Sequence, residues 1–389
     1  MLNPTEYRKS NALILILYFF QYGFLLPFTI LFRGQYAIVA FTSLLLGYCF
    51  LTKRISITPK LVVIIILPLM LLLLKLPFEE YDKSGYSVAL ELLQSYISIG
   101  ISAIIIGSIK FSYPDFLLYG YKLAWINFLL ICFLPLTPIY GDEINYMRFG
   151  YSLLPTVFFS FAYIFDKKRR KSAWILFALS FIELFVFGAR GATLTLLIFM
   201  FFYIFIVSRI KPSTKFFILI CIVTLFLNIK SIILFTITTL ARYGYSSYAL
   251  TKYANLVLGN SLASTSSGRD KIYETAISRF KESPILGSPL NVSMIDTGAS
   301  YYHNIFLDIV VSFGIFGLFF FVFFLIKNIF KALRSSDNNF KIIFLIFFVT
   351  SMGRLIVSSS FWLRPEFWIF ISFCLHNNGI TTNVKKIKR

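Results

Sequence analysis

Residues 267–287 read SGRDKIYETAISRFKESPILG, and residues 301–317 read YYHNIFLDIVVSFGIFG. The first stretch is polar and carries Arg269, Lys271, Arg279 and Lys281. The second opens on Tyr301, Tyr302, His303 and Asn304 and then passes into an apolar run. Together they hold the largest polar island of a very apolar chain. The change of character at Ile305 decides the fold, because a polar segment set among long apolar runs reads as a loop between membrane spans.

The rest of the chain supports that reading. It has 389 residues, 58% hydrophobic and 14% charged, against about 25% charged in ordinary soluble domains. Many apolar runs approach or exceed the roughly 18 residues that cross a bilayer. A backbone facing lipid must satisfy its own hydrogen bonds, which leaves helices as the spanning element here. The expected fold is all-α: a polytopic helical bundle forming one integral-membrane domain over residues 1–389. The 47 Phe residues suit lipid-facing helix surfaces. Cys49, Cys132, Cys221 and Cys374 all fall inside apolar runs with no CxxC pair, so neither a disulfide framework nor a zinc site is indicated.

Twelve spans are expected, at about 11–32, 36–52, 61–78, 89–109, 116–136, 149–165, 173–189, 192–208, 216–236, 305–326, 341–357 and 361–377. Arg8 and Lys9 precede the first, which reads as a retained span and not a cleaved signal. The last is interrupted by Arg364, Pro365 and Glu366. Alternate loops concentrate Lys and Arg: Lys53, Arg54 and Lys60; Lys110; Lys167 to Lys171; Arg209, Lys211 and Lys215; Lys327, Lys331 and Arg334; and Lys385 to Arg389. The other loops hold Glu79, Glu80, Asp82, Asp142 and Glu143. By the positive-inside rule both termini are cytoplasmic and the long loop at about 237–304 faces outward. The net charge of +20 is therefore a topology signal and does not point to nucleic acid. The outer side is rich in arginine, at Arg33, Arg148, Arg190, Arg242, Arg269, Arg279 and Arg364. A planar bidentate guanidinium suits an anionic phosphate or carboxylate ligand.

Within the loop, a helix is expected over 269–282. Ser267 would cap it, Ile272, Ala276, Ile277 and Phe280 would form its apolar stripe, and Pro284 and Gly287 would end it. A cation at Arg269 opposes the helix dipole unless an anion binds there; the plainer account pairs it with Asp270 or Glu274. His303 suits proton transfer near neutrality, although a lone interfacial histidine also serves as a structural hydrogen-bonder. Asp308 lies one helical turn past Asn304, within the membrane, where an acid is costly. Arg190 reads as ending a helix seven residues after Glu183 on nearly the same face, and Arg354 sits inside the eleventh span. Both point to a polar pocket beneath the outer surface. Gly314 and Gly317 are accounted for by close helix packing. No P-loop or HExxH occurs, and no metal or cofactor is expected.

Taken jointly, Arg190-Gly-Ala, Ser267-Gly-Arg269, Ser283-Pro284-Ile-Leu-Gly287, His303-Asn304, Leu307 and Gly314-Ile-Phe-Gly317 resemble the O-antigen polymerase and ligase superfamily of bacterial surface polysaccharide assembly. The resemblance covers about residues 185–320. It implies a bundle of about twelve spans in the bacterial inner membrane, with one large periplasmic loop. It also implies metal-independent glycosyl transfer from an undecaprenyl-diphosphate-linked oligosaccharide. By the same resemblance Arg190 and Arg269 would hold the diphosphate, and His303 would orient or deprotonate the acceptor hydroxyl. Asn304, Arg279, Asp308 and Arg354 are the further substrate-binding candidates. Polymerase is the leading expectation, with a chain-length regulator protein as a candidate partner. A ligase acting on lipid A–core is the alternative, and a polysaccharide flippase a second. Transporters tend to show repeat symmetry between halves, and none stands out here.

Overall fold

The structure, a computed structural model, describes residues 3–31, 36–78, 88–137, 146–166, 169–244, 247–257, 269–290, 293, 298 and 301–376. The acidic residues at 79–82 and 142–143, Arg33, Lys167, Lys168, Ser267 and the basic C-terminal residues lie outside that set. The described residues are helical throughout their regular structure, with no strand. The helices are α1 (Pro4–Phe24), α2 (Leu26–Leu31), α3 (Tyr36–Leu51), α4 (Pro59–Lys75), α5 (Val88–Ser95), α6 (Ile101–Gly107), α7 (Tyr113–Ile131), α8 (Tyr146–Tyr163), α9 (Arg170–Phe187), α10 (Arg190–Phe202), α11 (Pro212–Leu227), α12 (Ile229–Arg242), α13 (Tyr248–Val257), α14 (Arg269–Glu282), α15 (Ile305–Arg334), α16 (Asn338–Leu355) and α17 (Pro365–His376).

Local chemistry sets several starts. Pro4 and Pro59 occupy first-turn positions, where a missing N–H costs nothing. Asn3, Thr58, Asn304 and Asp337 each accept a backbone N–H at the head of their helix. Every segment expected to span falls on one or more of these helices. By length and composition, four helical runs among the described residues can cross a membrane: Leu90–Gly107, Tyr113–Leu136, Arg190–Val207 and Ile305–Arg334. The others are shorter or more polar; α3, with 16 residues, is about 24 Å long.

Several expectations are corrected. The expected ninth span, 216–236, is broken after Leu227 into α11 and α12, bent by 61°. The segment at 237–304, expected to face outward, holds the expected helix over 269–282 as α14 and, beyond that expectation, the end of α12 and α13. The final helix begins only at Pro365, which pre-sets the dihedral of a first helical turn; the residues before it form a 3₁₀ turn, Phe361–Leu363. The phenylalanines do not simply face lipid. Phe20, Phe116, Phe158, Phe159, Phe347, Phe370 and Phe373 are fully buried, packed edge-to-face and tilted where α1, α7, α8, α16 and α17 meet. Such pairs gain roughly 0.5–1.5 kcal/mol beyond area burial. Interior polar bonds add specificity between helices: Asn127 donates to Thr156 at 2.8 Å, and Tyr18 meets Ser102 at 3.0 Å.

Gly314 departs most from the packing account. Its φ of 66° and ψ of −167° break α15. A side chain there would fall 2.0 Å from the Ile285 carbonyl oxygen. The 283–287 motif docks into this break: Ile315 N donates to the Pro284 carbonyl at 2.8 Å, and Ser288 N to the Val311 carbonyl at 2.6 Å. Lys75 Nζ, from the end of α4, donates to the carbonyls of Leu286, Gly287 and Ser288 at 3.0, 3.4 and 3.2 Å. The two short sequence motifs are thus one backbone joint.

The bundle has two polar ends. At one, Asn11 bonds the Lys110 carbonyl, Arg54 bonds Asn11, and Tyr7 bonds the Lys53 carbonyl. These are residues of loops expected to share one side. At the other, Arg148 donates to Thr29, Ser247 to the Val186 carbonyl, and Tyr301 to the Ser358 carbonyl.

Candidate functional site

The site is built at the second end, from the starts of α10 and α14 and the residues before α15 and α17. Gly188 and Ala189 are extended, so Arg190 opens α10 and does not close α9. This corrects the sequence reading twice. The dipole at a helix start opposes Arg190, and Glu183 belongs to a different helix, so the seven-residue spacing does not align the two. Arg269 likewise opens α14. Both arginines therefore stand at a helix start, the end of the helix dipole that favours an anion.

Gly191 lets α8 close on this point. A Cβ there would lie 2.6 Å from the Tyr151 hydroxyl and 2.8 Å from Val357. The Arg354 guanidinium lies 4.5 Å from the centroid of the Tyr151 ring, a cation–π contact. Arg354, Arg364 and Arg269 are all within electrostatic reach of the Tyr151 hydroxyl. Ser358 faces it too, but neither hydroxyl completes a well-aligned bond. Tyr301 donates to the Ser358 carbonyl at 3.2 Å, and its ring centroid lies 4.5 Å from that of His303. Arg269 acts on His303 in turn. Arg364 donates through Nε to Ser359. Arg190 reaches the Tyr253 hydroxyl on α13.

Buried polar atoms concentrate here. Tyr151 Oη, His303 Nδ1, Arg354 Nε, Ser358 Oγ and Glu366 Oε2 are buried with no hydrogen-bond partner among the described residues. Such atoms are uncommon in folded proteins and costly outside a ligand site. Burial, and then the positive charge of Arg269, hold the His303 imidazole below its ordinary pKa of 6.5. It is accordingly neutral, and able to accept a proton, at neutral pH.

The remaining candidates divide. His303 has φ 57°, a left-handed conformation unusual for a non-glycine residue. Asp308 supports it: its Oδ1 accepts from Tyr302 N at 2.7 Å, while Oδ2 is buried with no partner among the described residues. Asn304 Oδ1 caps α15, accepting from Phe306 N at 2.9 Å. Asn304 and Asp308 thus hold the His303 turn. Arg279 pairs with Glu282 at 3.0 Å on the surface, about 15 Å along α14 from Arg269, and the structure does not bring it to the cluster. Along the same helix Ala276, Ile272 and Phe280 pack on Tyr302, Val310 and Val311, whereas Ile277 is 49% exposed and lies off the expected stripe.

Sequence reasoning missed Tyr151, Tyr301, Ser358 and Glu366 and counted Arg364 only as an outer arginine. The polar interruption Arg364-Pro365-Glu366 was a usable signal; nothing distinguishes Tyr151 within its apolar run. Among the described residues, no three His, Cys, Asp or Glu side chains gather as metal ligands would.

A search of the curated proteins finds no match to this chain. A family model described as O-antigen ligase matches residues 175–322, a segment that contains Arg190, Arg269 and His303. Members of that family are membrane glycosyltransferase-like enzymes. The match supports the placement of this all-helical chain in the O-antigen polymerase and ligase superfamily.

Proposed function

We propose that the chain is an O-antigen polymerase: a multi-pass enzyme of the bacterial inner membrane, with both termini cytoplasmic, that joins undecaprenyl-diphosphate-linked oligosaccharide units on the periplasmic side. The observation that carries this reading is the convergence of Arg269, Arg354 and Arg364 with His303 around buried polar atoms that have no hydrogen-bond partner among the described residues.

The chemistry follows from the arrangement. The acceptor hydroxyl attacks the anomeric carbon of the donor sugar. The new C–O bond forms as the bond to the diphosphate oxygen breaks, and the leaving group takes the electron pair. Arg190 and Arg269, each beside the N–H groups of a helix start, stabilise the charge that develops there. His303, neutral before reaction, takes the hydroxyl proton, a contribution typically of about 10²–10⁴ in rate. Arg354 and Arg364 line the polar floor. Asn304 and Asp308 keep His303 in its turn. No metal takes part in the proposed transfer, and a chain-length regulator protein is a candidate partner.

The family description favours a second reading, in which the same site hands the glycan to lipid A–core. Deleting the gene and resolving the surface polysaccharide on a gel separates the two. A single repeat unit on core supports the polymerase. Bare core with accumulating lipid-linked polymer supports the ligase and overturns the polymerase. Unchanged polysaccharide overturns both.

A further inference from the structure

At the end of the bundle away from His303, two cavities of about 700 and 590 Å³ meet at Pro59, Lys60 and Leu375. Helix α17 links the two ends: Glu366 stands in its first turn, and His376, at its last residue, lines the larger cavity. Together the cavities gather Arg8, Lys53, Lys60, Lys110 and Lys327, and among the described residues that line them there is no carboxylate. The cations crowd one another, since both Lys60 and Lys327 act electrostatically on Lys331. A topology signal needs basic residues in the loop; it does not need them lining a shared recess.

Arg54 shows how a structural cation is treated in the same place. It donates to Asn11, Thr52 and Tyr48 and lies 4.8 and 5.1 Å from the ring centroids of Tyr7 and Tyr48. Lys53, beside it, holds φ 52°, an uncommon conformation for a non-glycine residue. The smaller cavity is apolar on its other side, where Val63, Ile64 and Phe324 line it. A basic recess opening onto an apolar groove between helices matches a phosphate headgroup attached to an acyl chain.

We propose that this recess binds the phosphate headgroup of an anionic membrane lipid, with Lys60 and Lys327 holding the phosphate and the acyl chain lying along Val63, Ile64 and Phe324. The site is separate from the glycosyl-transfer cluster and does not depend on that reading.

Native mass spectrometry of the purified full chain tests it, with phosphatidylglycerol and phosphatidylcholine of identical acyl chains as probes. Phosphatidylglycerol should bind at least about tenfold more tightly, weaken with salt, and fall to the phosphatidylcholine level in K60Q/K327Q. K60R/K327R should retain binding, which separates loss of charge from loss of fold. H303A should bind both lipids as wild type. Equal binding of the two lipids to the wild-type chain overturns the proposal without recourse to any variant. So does undiminished selectivity in K60Q/K327Q. Displacement of the lipid by equimolar glycerophosphoglycerol or inorganic phosphate overturns the lipid source, since the headgroup chemistry alone would then account for binding.

Discussion

Replacing Gly314 with alanine probes the joint between the 283–287 motif and α15. The added Cβ would meet the Ile285 carbonyl oxygen at 2.0 Å and its carbon at 2.4 Å. These are backbone atoms, so no side-chain rotation relieves the clash. The conformation, φ 66° and ψ −167°, is one that glycine alone adopts readily, at about 1–3 kcal/mol for other residues. Undocking the loop also gives up the Ile315–Pro284 and Ser288–Val311 backbone bonds, at about 1 kcal/mol each. The local cost is therefore about 3–5 kcal/mol, a shift of about 10²–10⁴ in the docking equilibrium. Because this loop joins the end of α14 to the segment bearing His303, polymer synthesis should fall along with docking. Hydrogen–deuterium exchange read by mass spectrometry should show faster exchange at Ser288 and Ile315, the two amide donors, in G314A. G47A is the control: nothing lies within 4 Å of a Cβ at Gly47, and its exchange and polymer yield should match wild type. Wild-type protection at Ser288 and Ile315 in G314A would refute the reasoning.

Two further outcomes follow from the cluster. The His303 titration, followed by NMR of histidine-labelled protein in an H376Q background, should lie below 6.5 and move upward in R269Q, because removal of the neighbouring cation makes protonation easier. Activity that needs neutral His303 is present above its lowered pKa and lost as pH falls through it; an unmoved titration in R269Q would separate the two residues. R279A should insert and polymerise as wild type, since its half-exposed pair with Glu282 is worth about 0–1 kcal/mol; loss of polymer in that variant would return Arg279 to the site.

The sequence by itself determined what depends on hydrophobicity, spacing and local capping. Apolar runs marked the helices, and the change to apolar character at Ile305 marked the head of α15. Arg190 and His303 were legible as candidates because each is a charged or titratable residue at the edge of an apolar run, Arg269 because it starts a polar helix in the loop, and the resemblance joined the three. Only the tertiary structure decided which polar groups meet. Tyr151, Ser358 and Glu366 lie on segments far from the loop in sequence, and no local pattern records that the starts of α10 and α14 and the turns before α15 and α17 converge. The same holds for Gly314. Its neighbours in sequence are apolar and predict an uninterrupted helix; the break exists because the backbone at 284–288 occupies the space a side chain would take, with Lys75 satisfying the carbonyls that the turn exposes. Local propensity acts over a few residues, whereas this joint is made by backbone groups about thirty residues apart and by a lysine more than two hundred residues away.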